Sequence, residues 1–290
     1  MIRAALNEAR PKQWAKNLLV FAAPGAAGVL DDGRELGKAL ITFVAFCAVS
    51  SGTYYWNDLL DVAADRKHPT KRFRPIAAGT LPIGVARVIG TLLLVGGIAL
   101  GVATGRTQTV GVLATYVALT VSYSAIWKHM AVLDLLAVAG GFVLRAVGGA
   151  VGTNVSMSTW FVLVTMFGSL FIVTGKRYAE LREMGDSAAD TRASLEVYTL
   201  SYLRLVLSIT LGSTIVAYCI WAFETAEVSG NEFPFYELTV VPMVAALLRY
   251  LLILEQGHGG APEEVFAADR QLQFLGLLWL AVFAGGVYLR

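Results

Sequence analysis

Apolar stretches at 17–31, 37–57, 83–104, 108–126, 133–152, 158–176, 203–223, 235–254 and 272–289 occupy most of this chain, and most of them approach the length that crosses a bilayer. Hydrocarbon offers no partner for backbone N–H and C=O groups, so such segments must satisfy them internally, as helices. The pattern predicts an all-α, polytopic membrane protein with nine transmembrane helices. Composition agrees: 56% of the residues are hydrophobic and 15% charged, too apolar a mixture for a soluble domain. Arg3, Arg10, Lys12 and Lys16 precede the first stretch as in a signal peptide, but Pro24 and Gly25 interrupt it and no convincing cleavage site follows, so it reads as a retained span. Cys47 and Cys219 lie in apolar runs without CxxC spacing, and His68, His129 and His258 are scattered near segment ends as interfacial polar residues. Neither a disulfide framework nor a zinc site is indicated.

Threading the spans alternately collects Arg3, Arg10, Lys12, Lys16, Arg66, Lys67, Lys71, Arg72, Arg74, Arg87, Lys128, Lys176, Arg177, Arg182, Arg192, Arg204 and Arg270 on one side, and Arg34, Lys38, Arg106 and Arg290 on the other. The positive-inside rule then places the N-terminus in the cytoplasm and the C-terminus outside the plasma membrane. The connections at about 58–82 and 176–202 are cytoplasmic and rich in paired charge, whereas external links such as Thr153 to Met157 are short and neutral. Chemistry is expected on the cytoplasmic face.

One segment concentrates that chemistry. Asn57-Asp58-Leu59-Leu60-Asp61-Val62-Ala63-Ala64-Asp65 gathers three carboxylates and an amide, and Arg66, Lys67, Lys71, Arg72 and Arg74 follow at once. On a helix, Asp58, Asp61 and Asp65 fall within roughly 60° of one another with Asn57 beside them. Like charges on one face repel, and oxygen ligands select a hard cation such as Mg²⁺, which takes its remaining ligands from waters and substrate phosphates. Asn57, Asp58, Asp61 and Asp65 are therefore the expected metal-binding and catalytic set.

Three further clusters carry charge into or beside the spans. Arg10-Pro11-Lys12-Gln13-Trp14-Ala15-Lys16-Asn17 mixes cations with an indole, which suits an interfacial anchor or a substrate contact equally, and Tyr123 and Lys128 repeat the mixture after the fourth span. Arg145 lies well inside the fifth span, where an unpaired charge is costly, and needs a polar cavity or an acidic partner. Lys176, Glu180 and Glu183 share a helix face in Gly175-Lys176-Arg177-Tyr178-Ala179-Glu180-Leu181-Arg182-Glu183.

The Asn57-Asp58-x-x-Asp61-x-x-x-Asp65 motif with its basic loop resembles the first Asp-rich motif of the UbiA superfamily of intramembrane prenyltransferases. The resemblance covers nearly the whole chain and implies one transmembrane domain over 1–290, with nine helices around a central cavity open to the cytoplasm and laterally to lipid. Where a second aspartate cluster of the DxxxD kind would follow the sixth span, Lys176-Arg177-Tyr178-Ala179-Glu180-Leu181 stands instead. Together with the Arg10 to Asn17 segment and Tyr123-Ser124, it is similar to the branch that transfers 5-phosphoribosyl from phosphoribosyl pyrophosphate to decaprenyl phosphate for cell-wall arabinan. That resemblance implies Mg²⁺, with Mn²⁺ able to substitute, as cofactor. Phosphoribosyl pyrophosphate, a polyprenyl phosphate from the bilayer and membrane lipids are the implied partners, with homo-oligomers possible and no nucleic acid.

Implied substrate-binding residues are Lys16, Asn17, Lys67, Arg72, Arg74, Tyr123, Lys128, Arg145, Lys176, Arg177, Tyr178 and Glu180. Two other functions remain open at this point. One is Mg²⁺-dependent prenyl transfer from a polyprenyl diphosphate to an aromatic or other small acceptor; the other is a transporter with charges along a path, against which the one-sided clustering of charge argues.

Overall fold

The computed structural model describes residues 1–184 and 193–289. Every regular element among them is helical, and the helices gather into two compact units. Met1–Ala125 with Leu144–Ser156 form the first, and Ile126–Val143 with Met157–Arg290 the second.

The first unit contains α1 (Ile2–Ala9), a long 3₁₀ helix (Pro11–Phe21), α2 (Ala22–Ala26), α3 (Gly33–Leu60), α4 (Val62–Asp65), a short 3₁₀ turn (Lys71–Phe73), α5 (Ile83–Val102), α6 (Thr107–Ala125) and the later part of α7 (Leu133–Gly152). Asp32 starts α3 by accepting a 2.7 Å hydrogen bond from the Arg34 amide, which satisfies a donor that has no partner within the helix. Helices α3 and α5 pack closely because small residues line their seam. A Cβ at Gly97 would stand 2.8 Å from Val49 Cγ1 and 3.0 Å from the Ala45 carbonyl. Gly149 of α7 meets the Val20 carbonyl so closely that no side chain fits. Residue 145 therefore sits beside the 3₁₀ helix. There Arg145 Nε donates to Asn17 Oδ1 at 2.6 Å and Nη2 to the Tyr116 hydroxyl at 2.8 Å, with the guanidinium 4.8 Å from the Tyr116 ring centroid. These polar and aromatic contacts receive the charge that the fifth span carries into the membrane.

The second unit contains a 3₁₀ turn (Trp127–His129), the first part of α7, α8 (Thr159–Met184), α9 (Ala193–Val197), α10 (Leu200–Ser229), α11 (Phe235–Glu255), α12 (Pro262–Ala268) and α13 (Arg270–Tyr288). Phe171, Leu203, Leu207, Tyr250 and Leu254 form its apolar centre. One buried hydroxyl within the helical layer is paired on both sides: that of Tyr218 lies 2.6 Å from Thr239 Oγ1 and accepts from Trp279 Nε1.

Seven described helices are long and apolar enough to cross a membrane, namely α3, α5, α7, α8, α10, α11 and α13, which makes the chain a multi-pass membrane protein. The fourth predicted stretch forms α6 but falls outside that set, because its threonines and tyrosines dilute its hydropathy. The first stretch differs from expectation. It is not one helix: the 3₁₀ helix and α2 are followed by turns, and Gly28 leaves the helical region with φ 69°. The expected 176–202 connection includes residues 185–192, which lie outside the described residues.

Candidate functional site

Helix α3 ends at Leu60, earlier than a helix carried through Asp65. Asp61 caps it with φ −90° and ψ 4°, and α4 restarts the helical path with the Asp65 amide bonded to the Asp61 carbonyl at 2.8 Å. The bend keeps the seven-residue spacing useful. Asp58 and Asp65, both nearly inaccessible, meet one guanidinium nitrogen, since Arg74 Nη1 donates to Asp58 Oδ1 at 3.0 Å and to Asp65 Oδ2 at 2.8 Å. Arg10 pairs with Asp58 Oδ2 and lies 4.6 Å from the Tyr54 ring centroid. Asn57 Nδ2 donates to Asp58 Oδ1 at 3.3 Å, and Asp61 is half-buried at the bend.

A fourth acid stands here that spacing did not reveal. Glu8 of α1 is 1% exposed, and neither carboxyl oxygen has a hydrogen-bond partner of ordinary geometry among the described residues. Burial first, and the adjacent Asp58 carboxylate next, push its pKa up to about 8, so Glu8 is mostly protonated at pH 7. Tyr55 and Ser51 fasten α1 to α3 by donating to the Ala5 and Ala9 carbonyls at 2.7 and 2.8 Å. An isolated acid on a short helix has no pattern to betray it.

Mg²⁺ needs only one or two carboxylates alongside waters and phosphate oxygens. The described residues contain no group of three His, Cys, Asp or Glu side chains arranged as a ready cage. The all-oxygen set of Asn57, Asp58, Asp61 and Asp65, with the unpartnered Glu8 oxygens beside it, fits such an ion and offers no soft ligand.

The basic loop divides into fixed and outward cations. Arg66 Nε donates to the Ala77 carbonyl at 3.2 Å, and Arg74 is bound to the acids. His68 Nδ1 accepts from the Thr70 and Lys71 amides at 3.2 and 3.3 Å, which fixes the turn between them. Lys67 and Arg72 are exposed, the latter 4.8 Å from the Phe73 ring centroid. Arg74, expected among the phosphate contacts, pairs with Asp58 and Asp65 in this structure. His68, expected as an interfacial polar residue and not a metal ligand, ties this turn together through its ring nitrogen.

In the second unit, Lys176 and Arg177 follow each other on α8 but face different surroundings, because successive helical residues point 100° apart. Arg177 is buried, with Nε 3.1 Å from Asp134 Oδ2 and Nη1 2.9 Å from Glu180 Oε2. The Lys176 side chain is 40% exposed and 3.9 Å from Glu180 Oε1. Tyr178 is buried, and its hydroxyl donates to Glu255 Oε2 at 3.2 Å while accepting from Arg204 Nη2 at 3.0 Å. Tyr198 donates to Asp134 Oδ1 at 2.6 Å; burial and that bond raise its pKa far above the ordinary phenol value.

Other expected contacts take varied positions. Lys16, Tyr123 and Lys128 are half-buried. Asn17 is fully buried, with Nδ2 3.2 Å from Cys47 Sγ and its amide oxygen held by Arg145. Trp14 Nε1 donates to Ser51 Oγ at 3.0 Å. Asn17 and Arg145 thus hold the 3₁₀ helix against α6 and α7. Their partners stand far off in sequence, where spacing gives no signal.

Comparison with known proteins adds three findings. Residues 18–283 match the UbiA prenyltransferase family. The decaprenyl-phosphate phosphoribosyltransferase of Corynebacterium glutamicum is 44% identical over 97% of this chain and 85% of its own length, and that of Mycolicibacterium smegmatis is 40% identical over 99% and 93%. A UbiA homolog from Archaeoglobus fulgidus, solved with GPP and Mg²⁺, superposes with a TM-score of 0.72 over 98% of each chain at 16% identity.

Proposed function

Since this chain belongs to the UbiA prenyltransferase family, we propose that it is a Mg²⁺-dependent phosphoribosyltransferase of the membrane. It moves 5-phosphoribosyl from phosphoribosyl pyrophosphate to a polyprenyl phosphate, with decaprenyl phosphate as the acceptor in a cell-wall arabinan pathway. Identity of 40 to 44% over nearly the full length of relatives bearing that name supports the reading. One observation favours it over prenyl transfer: where a second aspartate cluster would stand, α8 carries Lys176, Arg177 and Glu180, and Glu180 is paired with both cations. That segment offers a lone carboxylate among cations, which suits phosphate groups better than a second metal cluster.

The residues then take the following parts. Asp58 and Asp65, with Asp61 and Asn57, would hold Mg²⁺, while Arg74 and Arg10 limit the repulsion among the acids. When bound, Mg²⁺ neutralises charge on the pyrophosphate as the ribose C1–O bond breaks. The outward Lys67 and Arg72 of the loop, and Lys16, Lys128 and Lys176, bind phosphate oxygens through charge-assisted contacts. A lipid phosphate oxygen attacks C1 on the face opposite the leaving pyrophosphate. That oxygen is already anionic near pH 7, so no strong general base is required. Asn17, Tyr123, Arg145, Arg177, Tyr178 and Glu180 shape and brace the surfaces that carry these cations.

The whole chain is proposed to act as one domain, with nine crossings and a cavity open to the cytoplasm and laterally to lipid. Helix α6, at 19 residues, reaches about 28 Å. The 3₁₀ helix rises about 2 Å per residue, so Pro11–Phe21 with α2 spans about 30 Å, enough for the hydrocarbon layer. The cation asymmetry supports a cytoplasmic N-terminus and an external C-terminus. A cysteine replacing Ser229 in a cysteine-free background should be labelled in intact cells by an impermeant thiol reagent; labelling only after lysis inverts the topology. Mn²⁺ substitution and homo-oligomers belong to the same proposal.

The deciding assay gives purified protein labelled phosphoribosyl pyrophosphate with polyprenyl phosphate, and in parallel polyprenyl diphosphate with an aromatic acid. Label should pass to lipid in the first pair; product in the second pair alone rejects phosphoribosyl transfer.

A further inference from the structure

Val132 adopts φ 71°. A β-branched residue rarely occupies this left-handed region, and when it does the surrounding structure must hold it there. The hold is visible. The Val132 amide donates to the Tyr198 hydroxyl at 2.6 Å, and that hydroxyl donates onward to Asp134 Oδ1 at 2.6 Å. The phenol is buried and, with its pKa raised well above the ordinary value, keeps its proton, so it serves as acceptor and donor together. Asp134 is fixed from its other oxygen by Arg177, whose Nη1 binds Glu180, the acid beside Lys176. Four residues before Val132 lies Lys128, on the 3₁₀ turn that leads into α7. The chain of contacts therefore runs from the Lys128 turn to the end of α8, all inside the second unit.

We propose that Tyr198 is a positioning residue for the transfer reaction: its hydroxyl holds Val132 in the left-handed region and so fixes where Lys128 is presented to phosphate. The inference rests on the phosphoribosyl-transfer reading for its chemistry but not for its geometry. Loss of the hydroxyl frees the valine to return to an extended conformation, which re-aims the turn. Asp134 keeps Arg177 as partner in that variant, so the helix ends stay joined. Glycine occupies φ 71° without a steric penalty, and Val132 is 44% exposed, outside the buried core. A glycine at 132 should therefore hold the turn without help from residue 198.

The test uses the full chain in detergent with labelled phosphoribosyl pyrophosphate and polyprenyl phosphate. Tyr198→Phe should lower kcat/KM for phosphoribosyl pyrophosphate about ten-fold, the loss of one buried hydrogen bond to a positioned group, with most of the change in KM. Adding Val132→Gly to Tyr198→Phe should recover most of that loss. Hydrogen exchange supplies a readout that needs no turnover, since the Val132 amide should exchange faster in Tyr198→Phe than in wild type. Tyr198→Phe within two-fold of wild type overturns the proposal, as does a double variant no better than Tyr198→Phe or unaltered exchange at Val132. Should the wild type transfer no phosphoribosyl group at all, the functional reading fails, and exchange at Val132 alone decides whether Tyr198 holds the turn.

Discussion

Asp58 in the first unit and Asp134 in the second are both buried carboxylates near a helix end with an arginine against them, yet their surroundings differ in balance. Around Asp58 stand Asp65 and Glu8, three acids facing Arg10 and Arg74, and Glu8 relieves the excess by holding a proton. Around Asp134, Arg177 and Tyr198 occupy both oxygens, and the second arm of the guanidinium goes to Glu180. A cluster that holds one acid protonated can meet an added cation by releasing that proton. A cluster whose members saturate one another is a frame, and changing it disturbs what it carries before it disturbs any bond making.

The largest effect on turnover belongs to the first cluster. Asp58→Asn should lower kcat by about a hundred-fold or more, the scale seen when a group stabilising transition-state charge is removed, and thorough chelation should abolish activity that Mg²⁺ restores. Full activity in chelated protein would cancel the contrast altogether. The second cluster should respond first in stability. Arg177→Ala takes the guanidinium away from the buried Asp134 carboxylate, a loss of about 3 to 5 kcal/mol that thermal unfolding in detergent would report, whereas Lys176→Ala on the next residue should leave the melting temperature nearly unchanged and raise KM for phosphoribosyl pyrophosphate about ten-fold. Equal melting temperatures for the two variants would show that Arg177 is no brace. The smallest effect concerns the turn before Arg74. Asparagine can place an acceptor where His68 Nδ1 lies and glutamine cannot, so His68→Asn should stay within about two-fold of wild-type kcat/KM while His68→Gln loses several-fold, near the value of one neutral hydrogen bond.

What the sequence disclosed follows from how each signal is written. Runs of about twenty apolar residues located α3, α5, α7, α8, α10, α11 and α13 because length and hydropathy are local properties. The seven-residue separation of Asp58 and Asp65 likewise survived the bend at Asp61, since two near-complete turns return to the same face. Glu8 was illegible because its meaning lies in a contact with residue 58. Arg177 could not be told from Lys176 by type, and its partner Asp134 is 43 positions away. Nor does any pattern announce that Val132 has a positive φ with its amide bonded to a residue 66 positions away.

The 3₁₀ helix at Pro11–Phe21 leaves a mark that an experiment on living cells can read. With three residues per turn, side chains at every third position align in a row along the axis, and here Trp14, Asn17 and Val20 form that row against the protein while Leu18 is 59% exposed. In α3 the corresponding row drifts, because its repeat is 3.6. Saturation mutagenesis of the gene should therefore reveal two rhythms of tolerance. Across residues 11–21 the intolerant sites should pulse in triplets, and a single inserted residue should shift every later pulse out of phase, a sharper penalty than the same insertion brings at the exposed loop around residue 80.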